Sequence, residues 1–140
     1  MPRLPLLVLA LAPLSTPALA HPGGHGHSSA PKATEEPKTA VPATYAGVLA
    51  ALTEQLGAAE TALDTFKIAD LHRHCGDLRA LADAAPGRAP DADAARPGAT
   101  ALRGHVDAIA AHADKGDLAG ARAALAEART ALAALQKHLE

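Results

Sequence analysis

Three histidines fall within seven residues, at His21, His25 and His27. They follow at once on Ala18-Leu19-Ala20, a small-residue triplet of the kind that closes an export leader. Imidazole is a good ligand for Cu, Ni and Zn, and the glycines between these rings let several of them converge on one ion. Cleavage after Ala20 would leave His21 at the mature N-terminus, where its α-amine and its ring can chelate together. The amide-chelating mode is excluded. It needs a histidine at mature position three behind free amides, and here Gly23 stands third behind Pro22, which has no N–H. Amine and imidazole ligation remain. Both need neutral donors, so binding should weaken below about pH 6.

A second set of candidate ligands lies further along. His72, His74 and Cys75 are grouped, and His105 and His112 stand seven apart. If two antiparallel helices carry them, His72 and His112 come to one level, where Asp70 or Asp114 could join them as a second metal site. The plainer reading makes both histidines polar residues at the edge of apolar stripes. Cys75 reads as a small buried hydrophobe, His105 lies near its level, and His74 reads as solvated. His138 is expected in the last turn of the last helix, where a cation complements the dipole.

The elements that must position these groups are legible. Residues 1–20 fit a secretory signal: Arg3, then an apolar run at 4–14 that is too short to cross a bilayer, then the small residues. Residues 21–43 carry Pro22, Pro31, Pro37 and Pro42 with Val41 as their one large apolar side chain, and read as a disordered tail. From 44 to 140 four stripes follow. Tyr45, Leu49, Leu52, Leu56, Ala59, Leu63 and Phe66 form the first, with Thr44 as N-cap and a turn at 64–67. Ile68, Leu71, Cys75, Leu78, Ala82 and Ala85 form the second, ended by Pro86-Gly87, with a polar connection at 87–97. Ala99, Leu102, Val106, Ile109 and Ala113 form the third, closed by Lys115-Gly116. Leu118, Ala121, Leu125, Ala128, Leu132, Leu135 and Leu139 form the fourth, capped by Asp117.

Four such helices with short turns predict an all-α, antiparallel up-down-up-down four-helix bundle behind the signal and tail. A solenoid is disfavoured, since two helical hairpins are too few for a repeat array. Alanine fills many stripe positions, so the core is thin in bulk and relies on close helix approach.

Several functions are excluded or unsupported by composition. Without Arg3 the mature chain holds twelve Lys/Arg against fifteen Asp/Glu, and its aromatics are Tyr45 and Phe66, so nucleic-acid binding is not expected. No later segment is apolar enough for stable membrane insertion after processing. One cysteine permits no intrachain disulfide. No haem is expected: Cys-x-x-Cys-His is absent, the one methionine is Met1, and aromatic packing is lacking. No nucleophile, phosphate loop or carboxylate pair supports catalysis, so the chain does not read as an enzyme.

The segments His21-Pro22-Gly23-Gly24-His25-Gly26-His27, Pro42-Ala43-Thr44-Tyr45, Ile68-Ala69-Asp70-Leu71-His72 and Lys115-Gly116-Asp117-Leu118 carry a resemblance. The chain resembles small exported helical-bundle proteins with His/Gly-rich N-terminal tails, of the kind that accompany heavy-metal efflux systems of Gram-negative bacteria. The resemblance implies a periplasmic location, handling of a divalent ion such as Cu or Zn, and a metal efflux system as partner. It brings no catalytic residues with it. The alternative expectation is a non-catalytic helical interaction or self-association module, a homo-oligomer through its Ala-rich faces, with an inert tail.

Overall fold

A computed structural model describes residues 39–139. Residues 1–38, which hold the expected leader, most of the expected tail and His21, His25 and His27, lie outside the described residues. The described part is helical with no strand: α1 (Tyr45–Asp64), α2 (Ile68–Arg88), α3 (Ala92–Asp114) and α4 (Leu118–Gln136). No described helix is long and apolar enough to cross a membrane.

Caps set most of the boundaries. Thr44 Oγ1 accepts the Gly47 N–H, as expected, at 3.1 Å. Asp117 Oδ1 accepts the Gly120 N–H at 2.9 Å and starts α4. Asp91 Oδ1 accepts the Ala94 N–H at 3.0 Å and starts α3 earlier than the sequence suggested.

That early start overturns the expected connection at 87–97. Pro97 lies inside α3 and Pro86 inside α2, and only residues 89–91 join the two helices. Each proline removes one ladder donor, yet neither stops its helix. Past Pro86, the Ala89 N–H closes α2 onto the carbonyls of Ala85 and Pro86. Ahead of Pro97, the Asp91 cap and the fully buried Ala95 hold the first turns of α3. At the other end of the chain α4 stops at Gln136, so His138 lies beyond the helix rather than in its last turn.

The cross-helix pairs give the directions. His72, Arg79 and Asp83 ascend α2 while their partners Asp114, Asp107 and Arg103 descend α3. Glu60 and Asp64 of α1 meet Arg129 and Arg122 of α4 in the same opposed sense. The Tyr45 hydroxyl, buried, donates to the Leu135 carbonyl at 2.7 Å and ties the start of α1 to the end of α4. Each helix therefore runs antiparallel to its two neighbours, and α1 closes the ring against α4. The result is a four-helix bundle.

The predicted stripes fill its core. Leu52, Leu56, Leu71, Leu78, Leu102, Ile109 and Leu135 are shut from solvent, each contributing about 1.5–3 kcal/mol of burial. Between them Ala59, Ala85, Ala95, Ala121 and Ala128 are also buried and let the backbones approach. Four stripe members depart from expectation. Phe66 is 67% exposed and Leu139 is exposed, both beyond helix ends. Ile68 and Leu118, the first residues of their helices, are half-buried.

The two hairpins repeat each other at an offset of fifty positions. Tyr45/Ala95, Leu52/Leu102, Leu56/Val106 and Leu63/Ala113 are equivalent buried pairs in α1 and α3. Leu71/Ala121, Cys75/Leu125, Leu78/Ala128 and Ala85/Leu135 are their counterparts in α2 and α4. The turns share their closing bonds. Lys67 N–H reaches the Ala62 carbonyl and Asp117 N–H the His112 carbonyl, each at 2.9 Å. Phe66 (φ 56°) and Gly116 (φ 72°) take the left-handed conformation that this helix ending requires.

Candidate functional site

The two helical histidines expected to share a site face different seams. His72 Nε2 meets Asp114 Oδ1 at 2.8 Å across α2 and α3. His112 Nδ1 meets Asp117 Oδ2 at 2.8 Å, between the last turn of α3 and the cap of α4. Residues two apart on a helix point about 200° away from each other. His112 therefore looks toward α4 while Asp114, two positions on, looks toward α2. Asp114 does join His72 as expected, but Asp70 pairs with Arg73 at 3.2 Å instead. Among the described residues no three His, Cys, Asp or Glu side chains are grouped so as to hold a metal ion.

The Asp117 carboxyl is held below its ordinary range, chiefly by the Gly120 N–H and next by the His112 ring. Its two oxygens thus do separate work: Oδ1 caps α4 and Oδ2 holds His112. Cys75 is fully buried, and burial pushes its thiol up to about 11. His105 is half-buried on α3.

His74, read from sequence as solvated, is half-buried and leads to the feature that the sequence reading missed. Its Nδ1 lies 2.8 Å from Gln55 Oε1. Gln55 Nε2 donates to Thr39 Oγ1 at 3.4 Å, and Thr39 Oγ1 donates to Asp77 Oδ2 at 2.9 Å. The Thr39 N–H adds a longer bond to Asp77 Oδ1 at 3.4 Å. A proton on His74 Nδ1 gives every member of this chain one consistent direction, ring to amide to hydroxyl to carboxylate.

Asp77 is the buried charged side chain of the described core, only 3% exposed. A carboxylate in that position is stable only when its oxygens are satisfied. Here the N-terminal strap supplies the donors. The strap continues past Pro42, whose carbonyl accepts from Arg88 Nε at 3.4 Å, before entering α1. Of the expected disordered tail, residues 39–43 thus run along the bundle, bonded to it at Thr39 and Pro42. One signal in the sequence pointed here: Asp77 stands four before Leu81, a second buried row beside the stripe that was read.

The remaining polar surface is arranged as seams. Arg79–Asp107 and Arg103–Asp83 rivet α2 to α3, and Arg122–Asp64 and Arg129–Glu60 rivet α4 to α1. Such exposed pairs fix register more than they stabilise, at about 0.2–1 kcal/mol each. Between α1 and α2 a shallow groove of about 350 Å³ is lined by Ala58, Thr61, Asp70 and His74 among others.

Comparison with protein-family models, curated proteins and solved structures gives no match to this chain.

Proposed function

We propose that this chain is an exported, periplasmic protein that binds or buffers a divalent transition metal, Cu or Zn, through His21, His25 and His27. The observation that carries the reading is the placement of three imidazoles within seven residues directly behind an export-type cleavage triplet. Processing after Ala20 frees an amine on His21, and amine plus imidazole is a donor set that suits Cu and Zn. The four-helix bundle is the carrier. His72 and His112 each have one ring nitrogen held by an aspartate, on different sides of α3. They serve the bundle's seams rather than a shared metal centre.

The test is a titration of correctly processed protein, beginning at His21, with Cu(II) and with Zn(II). A version lacking residues 21–30 is titrated beside it, and a third keeps one extra residue ahead of His21. Micromolar or tighter binding that disappears with residues 21–30 supports the reading. Weakening by the extra residue assigns the amine as a ligand. Binding that is equally weak with and without the segment overturns it, as does processing beyond His27 by mass spectrometry.

A further inference from the structure

The two hairpins share a backbone plan but not the sizes of their core side chains. The helices form a ring in which α1 lies diagonal to α3 and α2 to α4. His72–Asp114 and Arg122–Asp64, at 2.8 and 3.0 Å, are the same pair under the fifty-position repeat, one on each seam between the hairpins. The repeat therefore acts as a two-fold axis along the bundle, and equivalent core residues lie at one level across it. At the turn end the first hairpin supplies Leu63 and Leu71, and the second supplies Ala113 and Ala121. One level further in, the sizes reverse: Ala59 and Cys75 stand across from Ile109 and Leu125. Near the far end they cross over within each hairpin, with Leu49 and Ala85 across from Ala99 and Leu135. All of these side chains are buried, so each large one takes its room from a small one on the diagonal helix.

We infer that each hairpin selects the other as its partner by this alternation of size, and that a second copy of the same hairpin is refused. Two first hairpins would crowd Leu63 and Leu71 of both at the turn end and leave only Ala59 and Cys75 of both at the next level. Two second hairpins would do the reverse, with Ala113 and Ala121 of both beside a level crowded by Ile109 and Leu125 of both. Overfilling one level forces off-rotamer side chains and backbone shifts, and the void beside it forfeits packing contacts. Like pairing therefore fails at both levels. One ion pair draws the same distinction. Arg103–Asp83 joins α3 to α2, and its counterparts under the repeat, Thr53 and Ala133, carry no charge. Like pairing would set Asp83 against Thr53, or Arg103 against Ala133, and the pair would be lost. The inference is independent of metal binding by the N-terminal histidines.

Two sets of full-length variants test it by thermal unfolding. In the first, Leu71→Ala should lower Tm by about 10 °C or more. Adding Ala121→Leu, its equivalent on the diagonal helix, should recover at least about half of that loss, because the volume of the level is restored. Adding Ala128→Leu instead puts the same leucine two turns along α4, at the level that already holds Leu56, Leu78 and Val106, and should recover nothing. Ile109→Ala with Ala59→Ile repeats the exchange in the opposite sense. Where a single variant does not fold, folding of its exchanged double is the recovery. In the second set, residues 95–139 stand in place of 45–89, so that a second hairpin meets its like. This chain should lose its cooperative thermal transition. Recovery by Ala128→Leu equal to that by Ala121→Leu, or no recovery in either exchange, overturns the inference. So does a like-paired chain that melts cooperatively within about 5 °C of the parent.

Discussion

Removing the hydroxyl of Thr39 should harm this protein more than removing the carboxylate it serves. Thr39 Oγ1 gives Asp77 its shorter hydrogen bond, 2.9 Å, and the Thr39 amide gives only a 3.4 Å contact. Thr39→Val leaves a carboxylate 3% exposed with that one long contact. A hydrogen bond to a charged group contributes about 1.5–3 kcal/mol, and an orphaned buried acceptor costs about 1–3 kcal/mol. The expected loss is about 2 kcal/mol. Asp77→Ala removes the same bond but also removes the desolvated charge. It leaves a half-buried hydroxyl that still accepts from Gln55 and can reach water. Its expected loss is about 0.5–1 kcal/mol. The double variant should match Asp77→Ala alone, giving a coupling equal to the whole Thr39→Val loss, about 2 kcal/mol. Chemical denaturation of the full chain followed by far-UV circular dichroism measures all three. A Thr39→Val loss below about 0.5 kcal/mol, or additive single effects, refutes the clasp, because the strap would then be carrying none of the burial of Asp77.

Cys75 supplies a pH-dependent check. Its folded value, about 11, lies above the ordinary 9.0, so its contribution to stability is complete below pH 9 and is lost as pH rises through 11. At pH 8 iodoacetamide should label the folded protein at least roughly a hundredfold more slowly than a free thiol, and denaturant should release labelling in step with unfolding. Labelling within tenfold of a free thiol would show that the core around Cys75 opens readily. The glycines give a contrast within one chain. A Cβ at Gly57, Gly76 or Gly104 meets nothing within 4 Å, so Ala there should stabilise by about 0.5–1 kcal/mol each. A Cβ at Gly120 runs into the Asp117 carboxylate and the His112 ring, and one at Gly98 sits 3.0 Å from Leu135 Cδ2. Gly120→Ala and Gly98→Ala should lower Tm, and an increase in either would show that those contacts give way freely.

The sequence made the bundle legible because its strongest signal, apolar residues every three or four positions, is also what drives helix packing. Leu52, Leu71, Leu102 and Leu125 are buried where the stripes put them. Asp117 and Thr44 cap where their side chains said they would. The connection at 87–97 misread because proline was weighed as a stop, whereas Asp91 and buried Ala95 outweigh one lost bond at Pro97. The His72–His112 pairing was drawn from level along the axis without angle around it, and the structure shows each ring on its own aspartate, Asp114 and Asp117. The clasp was invisible for a different reason. Its four residues, Thr39, Gln55, His74 and Asp77, are brought together by the strap, and the one signal among them, Asp77 four before Leu81, marks a buried row without joining the other three to it.

The fifty-position repeat sharpens what those four residues mean. Within the repeat, the fully buried Asp77 corresponds to exposed Glu127, His74 to Ala124, Gln55 to His105, and Thr39 to Ala89 at the α2–α3 connection. The second hairpin therefore has the scaffold of the first without its polar chain. The turns differ the same way: Gly116-Asp117 closes one hairpin with a relaxed ending and a side-chain cap, and Phe66-Lys67 closes the other with neither. A packing requirement would fall on both halves alike, because most of their buried positions coincide. The departures gather in the first hairpin, where the strap joins the bundle and where the aromatic ring is exposed. There the sequence keeps a buried charge and a strained backbone that its own second half shows to be dispensable for the fold, and those are the places to look for what the bundle does.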